Sequence, residues 1–372
     1  MKKKVFIFII IALLTLTIVP VINLVKLGNI PKAETTEAKW LDKATLYNFD
    51  FALPVINFCF YQLGISTSPN QVIIGKDDWL YLSDQYRQTL SVTRYGAKNE
   101  YIDASKKIDV ASKAWDQWLK SKGVHEYRIM LAPNKSSIYP EFLPDWVQPS
   151  VSPALNSFLR TINQPLYVDT TTAVKSAKSN FSIPLYYKTD SHWNAMGAWI
   201  AFYAFTQEVS RNNAELHWLS AQQVHFSTVY KRSGGDLSLL LRMTEILQDD
   251  AINFNIVTEK PIVTEWYDFN SGNLITSGDN QSIYIPHDKP PMLVKSKQAL
   301  NKTKVLWIHD SFGTELEPFM SATFTEILQV HYLAINSEQF AKLVDTFKPE
   351  YVFITVIERD VIDPWFQNLP PS

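Results

Sequence analysis

The sequence predicts an α/β fold with a mostly parallel central sheet covered on both faces, three layers in all. Residues 127–133, 304–308 and 351–357 are short apolar runs, rich in β-branched and aromatic side chains, that suit buried strands. Stretches with helical spacing separate these runs, as the crossovers of a parallel sheet require. The chain has 372 residues, 46% hydrophobic and 19% charged, enough to bury a large core. Net charge is −2 with no long run of one sign, so the electrostatic footprint of a nucleic-acid partner is absent.

Taken in order, the chain opens with Lys2-Lys3-Lys4 and an uncharged stretch, residues 5–25, closed by Lys26. About 20 apolar residues at ~1.5 Å each span a bilayer core, and the lysine cluster stays cytoplasmic. Residues 1–29 therefore read as a single-pass transmembrane anchor in a bacterial inner membrane, with the remainder in the periplasm. A cleaved signal peptide is the alternative, and under either reading the bulk of the chain is exported. Residues 30–70 read as a juxtamembrane connector with one helical stretch, and residues 71–372 as the main domain. Within it, residues 72–82 form a hairpin turning at 75–78, and 101–122 a helix stopped by Gly123. Strand 127–133 runs into a loop at 134–137; a second helical segment and a short strand, 166–169, follow. Residues 189–194 lead into a helix over 195–210. A β-rich insertion of hairpins or loops near the site is expected at about 238–300, where Gly, Asn, Asp and Pro divide short β-prone pieces. Strands 304–308, 326–332 and 351–357 close the chain. Ligands of such sheets bind at the carboxyl ends of the strands, where Asn134, Asp169, Asp310 and Glu358 fall.

Cys59 is the only cysteine, which excludes an intramolecular disulfide and cysteine-based metal sites; its apolar neighbours suggest a buried structural thiol. No His-x-x-x-His pair or carboxylate cluster has metal-ligand spacing, so neither a metal nor another cofactor is expected.

Two motifs carry chemistry. Ser311, in Trp307-Ile308-His309-Asp310-Ser311-Phe312-Gly313, stands where a strand ends and helical character begins. There a hydroxyl is presented to solvent beside the free N–H groups of a first helical turn. Asp190-Ser191-His192-Trp193-Asn194 offers a histidine base and a carboxylate to orient it. Asp190 and His192, two residues apart, meet only in a tight turn. Each motif has a plainer reading: Asp190 or Ser191, and Asp310-Ser311, as helix caps. His309 reads as a packing residue. His125, His217, His225, His287 and His331 lack a comparable carboxylate motif.

These motifs, with Gly234-Gly235-Asp236-Leu237, Ile357-Glu358-Arg359 and the patterns at 75–82 and 132–144, resemble the alginate O-acetyltransferase family, the AlgJ and AlgX type of SGNH-hydrolase-like proteins, over about residues 70–360. The resemblance implies an SGNH-hydrolase-like fold and a catalytic triad of Ser311, His192 and Asp190, in the reverse order to ordinary SGNH hydrolases. It implies transfer of acetyl groups to hydroxyls of an exported polysaccharide, alginate or another exopolysaccharide, through an acetyl-serine. It also implies two kinds of partner: an integral membrane O-acyltransferase that supplies acetyl, and other envelope polysaccharide synthesis proteins. The chain ends soon after Arg359, without the carbohydrate-binding module of AlgX members, so it is expected to be nearer the membrane-anchored AlgJ type. The oxyanion-hole Gly and Asn of ordinary SGNH hydrolases have no match here. The Ser311 N–H is nominated first, then Asn134, Lys135 and Arg359. Tyr187 and Trp193, with Tyr186, Trp266 and Tyr267, are candidate platforms for sugar rings, with core packing as the alternative reading of each. An acetylesterase with the same triad and a non-catalytic scaffold of a polysaccharide synthesis complex are the competing functions.

Overall fold

Residues 2–28, 46–48, 50, 52–162, 164–280 and 282–371 are described in the computed structural model of the chain. Twelve strands are present among them: β1 Val72–Ile74, β2 Leu80–Leu82, β3 Glu126–Ala132, β4 Tyr167–Asp169, β5 Val224–Ser233, β6 Gln248–Ile256, β7 Val263–Asp268, β8 Leu274–Asp279, β9 Met292–Lys297, β10 Asn301–His309, β11 Phe324–His331 and β12 Tyr351–Ile357. Eight form one sheet in the order β4-β3-β12-β10-β11-β9-β7-β8. From β4 to β11 neighbouring strands are parallel, and β9, β7 and β8 extend that sheet in antiparallel fashion.

Every residue of β12 is buried, as a central strand covered on both faces demands. Period-2 alternation splits β10 between the two cores: Val305 and Trp307 pack on one face, Leu306 and Ile308 on the other. Helix Asn99–Ser121 covers the second face with Tyr101, Ser105, Ile108, Ser112, Trp115 and Leu119 turned inward at helical spacing. Helix Ser337–Phe347 joins it there, entered through a capping box between Asn336 and Gln339. Helix Ala195–Ser210 lies on the first face and is buried nearly all round.

The stretch 238–300 is not one appendage beside the site. Its β7, β8 and β9 belong to the main sheet, because their inward residues Thr264, Trp266 and Val294 bury there. Only β6, paired antiparallel with β5, makes a separate hairpin, and β5 begins at Val224, before the expected insertion. The residues expected as a loop at 134–137 contain a short helix, Lys135–Ile138.

The N-terminal part, residues 1–67 with 241–243, forms its own compact unit. Its backbone is helical from Lys2 to Gly28, with Pro20 inside, although several side chains there lie outside the described residues. Among the described residues no helix is long and apolar enough to cross a membrane. Residues 30–45, 49 and 51 of the expected connector lie outside the described residues; its helical stretch is Leu53–Gln62. Cys59 sits on that helix and is exposed, not buried. The helix turns Asn57 toward Leu241, whose carbonyl accepts at 2.7 Å, and buries only Tyr61, so Val55, Ile56, Cys59 and Phe60 face outward.

Asn194 links fold to site. Its side chain accepts from the N–H groups of Met196 and Gly197, both at 3.1 Å, and donates to the Pro184 carbonyl at 2.7 Å. Asn194→Ala removes the cap and leaves the part-buried Pro184 carbonyl without this donor. A loss of about 1–3 kcal/mol is expected, read as a lowered denaturant midpoint with an unchanged slope.

Candidate active site

Leu185 to Asn194 form a narrow antiparallel excursion. Tyr186 pairs with Trp193, the Tyr187 N–H reaches the His192 carbonyl at 3.3 Å, and the Asn194 N–H reaches Leu185 at 3.0 Å. The tip turns so tightly that one oxygen of Asp190 accepts twice from His192: from its backbone N–H at 3.1 Å and from Nδ1 at 2.6 Å. Arg232 of β5 donates to the other Asp190 oxygen at 3.3 Å.

Two groups of side chains hold this tip. Lys135, just beyond β3, is buried, and its ammonium donates to the carbonyls of Tyr187, Lys188 and Asp190 at 3.0, 3.0 and 2.7 Å. Burial pulls its pKa down to about 8 against the opposing pull of Asp236, Asp190 and Asp249. On the other side Asp249 of β6 accepts from the Thr189 N–H and hydroxyl at 2.9 and 2.6 Å. Asp236 accepts from the Ser191 N–H and hydroxyl at 2.6 and 2.5 Å. The Gly235 N–H donates to the Thr189 hydroxyl at 2.9 Å, and a β-carbon at Gly235 would collide with the Asp190 side chain.

Ser311 approaches from β10. Asp310 ends that strand and caps the following 3-10 helix, Ser311–Leu316, by accepting from the Phe312 N–H at 2.9 Å. Its second oxygen accepts from the Ile357 N–H of β12 at 2.7 Å. Burial raises the Asp310 pKa to about 6, with Asp360 adding repulsion and these two N–H bonds acting against it. The capping reading therefore holds for Asp310, and it leaves Ser311 free to face His192: Oγ lies 2.7 Å from Nε2. The chain Ser311–His192–Asp190 is contiguous, with Ser311 and His192 half-buried. Among the described residues the Ser311 N–H has no acceptor, since Phe312 and Gly313 both bond Asp310. Burial opposes a charge on His192, but the Asp190 carboxylate outweighs it with help from Asp236, and the imidazole pKa lies above its ordinary 6.5. His309 is a packing residue: buried, bonded to the Asp310 carbonyl at 2.7 Å and Gln329 at 3.2 Å, its pKa depressed to about 4 by burial.

The other expected contributors divide. Arg359 and Asn134 meet at the ends of β12 and β3, 3.3 Å apart, with the guanidinium 5.6 Å from the Phe312 ring, which itself lies 4.8 Å from His192. Glu358 joins the same strand ends, accepting from the Asn134 N–H at 2.9 Å and Ser137 at 2.7 Å. A cleft of about 570 Å³ opens beside Asn134, Glu358 and Arg359, and another of about 460 Å³ beside Asn134, Asp169 and Glu358. Lys135 is not available to an oxyanion, because its three donors are spent on the three carbonyls. Nor are Trp193 and Tyr187 sugar platforms. Trp193 is 0% exposed and donates to the Phe312 carbonyl at 3.1 Å. Tyr187 is buried, with Arg232 4.3 Å over its ring and Glu315 at 3.3 Å from its hydroxyl. Tyr186 and Trp266 are likewise core residues.

Sequence reasoning gave no role to Arg232, Asp236 and Asp249. Gly234-Gly235-Asp236 was the one visible signal, since consecutive glycines mark a close backbone approach. Asp190, His192 and Asp236 bring one donor atom each within 4.8 Å of one another, the spacing of a cation site. Each carboxylate already has hydrogen-bonded partners, and Arg232 supplies positive charge there, so we assign no metal to the cluster.

The family model described as the SGNH hydrolase-like domain of acetyltransferase AlgX matches residues 72–262, just over half of the chain. The chain belongs to this family. Asp190, His192, Asp236 and Asp249 lie within the matched part of this AlgX-type domain, and Ser311 lies beyond it. Among solved structures, Bacillus cereus PatB1 carrying a sulfonyl adduct aligns with a TM-score of 0.59 and 15% identity, over 81% of this chain and 97% of PatB1. A DHHW family protein from Eubacterium siraeum aligns with a TM-score of 0.56 and 17% identity, over 83% of this chain and 98% of its own. At these identities the likeness establishes a shared SGNH-like α/β fold. No match was found among curated proteins.

Gly235→Ala tests the close approach. The added methyl must push Asp190 off His192, so kcat of any Ser311-dependent reaction is expected to fall at least tenfold while thermal stability changes by a few degrees. Full activity in this variant would show that the approach is not needed.

Proposed function

We propose that the protein is an O-acetyltransferase that places acetyl groups on hydroxyls of an exported bacterial polysaccharide. The observation that carries the reading is the continuous hydrogen-bonded line from Ser311 Oγ through His192 to Asp190 in a member of an acetyltransferase family. In the first half-reaction His192 Nε2 takes the Ser311 proton while Oγ adds to the acetyl carbonyl. The tetrahedral oxyanion is held by the Ser311 N–H, with Arg359 and Asn134 as further candidate donors. Collapse breaks the bond to the donor's leaving group, which departs with the proton from His192, and acetyl-Ser311 remains. In the second half-reaction His192 deprotonates a sugar hydroxyl, that oxygen attacks the acetyl-serine, and the proton returns to Ser311 as the ester forms. Asp190 keeps Nδ1 protonated, so that Nε2 is the basic nitrogen, and steadies the imidazolium.

Water competes for the acetyl-serine, and an acetylesterase would share every step but the last acceptor. With a chromogenic acetyl ester as donor, Ser311→Ala is expected to lose about 10³-fold or more of kcat. Added oligosaccharide should speed chromophore release and appear acetylated. Release indifferent to every acceptor would replace transfer by hydrolysis, and unchanged activity in Ser311→Ala would remove the site from catalysis.

The location belongs to the same reading. Lys2-Lys3-Lys4 followed by uncharged residues 5–25 supports a single-pass anchor that holds the catalytic domain in the periplasm. There it would receive acetyl from an integral membrane O-acyltransferase and work beside other polysaccharide synthesis proteins. The full chain is then expected to stay with the membrane pellet through an alkaline carbonate wash; its release would exclude the anchor.

A further inference from the structure

We propose that Asp236 is a positioning residue for His192, fixing the Asp190–His192 turn through Ser191 and setting a second negative charge behind the imidazole. The inference rests on the catalytic reading of Ser311 and His192 given above. Geometry carries it. Asp236 Oδ2 lies 3.7 Å from His192 Nδ1, on the side of the ring away from Ser311, while Asp190 Oδ1 lies 2.6 Å from the same nitrogen. Both Asp236 oxygens also accept from Ser191, the residue between Asp190 and His192. One carboxylate thus orients the ring directly, and the other holds the backbone that joins the first carboxylate to the ring.

The charges facing His192 come from every element around it. Asp190 lies on its own turn and Asp236 follows β5. Arg232 lies on β5, bonded to Asp190; Glu315 lies on the 3-10 helix after Ser311, beside Tyr187; Arg359 follows β12. Lys135 follows β3 and bonds the Asp190 carbonyl. Arg232 is committed to Asp190 and to the Tyr187 ring, so the Asp236 charge is left to act on the imidazole. Both carboxylates face the imidazole: the Asp236 pKa is raised by burial and by Asp190, with His192 pulling it back. A negative charge at this distance favours the imidazolium that forms as Ser311 loses its proton, and it makes His192 the stronger base.

The sign of the effect on activity follows. Only neutral His192 accepts the serine proton, so the acidic limb of kcat/KM in the unmodified chain is expected above pH 6.5. Asp236→Asn removes the charge and keeps the shape. It should move that limb to lower pH by about one unit and lower the plateau of kcat several-fold, with KM for the chromogenic ester little changed. Asp236→Ser, also uncharged, should shift the limb the same way and serves if the Asn variant does not fold. Asp236→Glu should return the limb toward its original position. Ser191→Ala removes the hydroxyl's bond to Asp236 and its 3.4 Å contact with His192 Nδ1 but leaves the carboxylate charge, so it should reduce kcat and move the limb less than Asp236→Asn does. A limb in Asp236→Asn that coincides with that of the unmodified chain overturns the proposal. So does a Ser191→Ala shift as large as that of Asp236→Asn. Failure of the catalytic reading itself would appear separately, as activity retained in Ser311→Ala.

Discussion

The site depends on keeping three backbone carbonyls pointed at one another. Tyr187, Lys188 and Asp190 can hold that arrangement only around a cation, and the Lys135 ammonium provides it. Taking an ammonium out of water costs several kcal/mol, yet without it the Tyr187 and Asp190 carbonyls would lose their partner and the Lys188 carbonyl would keep only the Leu80 N–H. Three carboxylates, Asp190, Asp236 and Asp249, offset the buried charge at short range. The tip is thereby fixed before any substrate arrives, as preorganised catalysis requires. The same lysine is an unsuitable oxyanion donor for the reason that makes it a good brace: no N–H is left over.

Ser311 is placed by different means. Parallel strands β10 and β12 lie in register, with Trp307 opposite Phe353 and His309 opposite Thr355. Asp310 continues that register by bonding the Ile357 N–H, then turns its other oxygen to the Phe312 N–H and begins the 3-10 helix. Capping and presentation of a nucleophile are thus one structural event. The cap fixes where the backbone turns, and the turn decides where Oγ points. Phe312 fills the space beneath, packing on His192 and Trp193, so both halves of the site share one apolar floor.

What was legible in the sequence follows from which interactions are local. Strands β3, β10 and β12 announce themselves because burial on both faces forces continuous apolar runs. Helix Ala195–Ser210 is legible from its alanine- and aromatic-rich run after a cluster of cap-forming residues, although its cap is Asn194 and not Asp190 or Ser191. The Asp190–His192 pairing is also local: two residues leave few ways for the side chains to meet. Residues whose partners lie far along the chain carry no such signal. Lys135 reaches 52 to 55 residues ahead, and Asp249 reaches back 60. Neither pairing has a periodic signature. Tyr187 and Trp193 stay open between sugar platform and core packing in the sequence, because an aromatic beside a catalytic motif has the same composition whether it faces solvent or core; the structure decides for the core. Cys59 was misread for the opposite reason: an apolar run is ordinarily an inward face, and here that face is exposed.

The hairpin of β5 and β6 ties these observations together. It supplies Arg232 and Asp249, and Gly235 and Asp236 lie in the connection between its two strands, so three of the charges around the turn come from this hairpin rather than from the main sheet. Arg232 stands opposite Asp249 in the pairing, and Lys231 opposite Asp250, with an ion pair of 2.7 Å on the outer side. Because side chains alternate across a strand, slipping β6 by one residue would turn Asp249 outward and bring Asp250 or Gln248 against Thr189. The acid needed at Thr189 and the acid paired with Lys231 are neighbours in sequence on opposite faces. The register of a peripheral hairpin is therefore a condition for the Asp190–His192 turn, and through it for the line of hydrogen bonds that ends at Ser311.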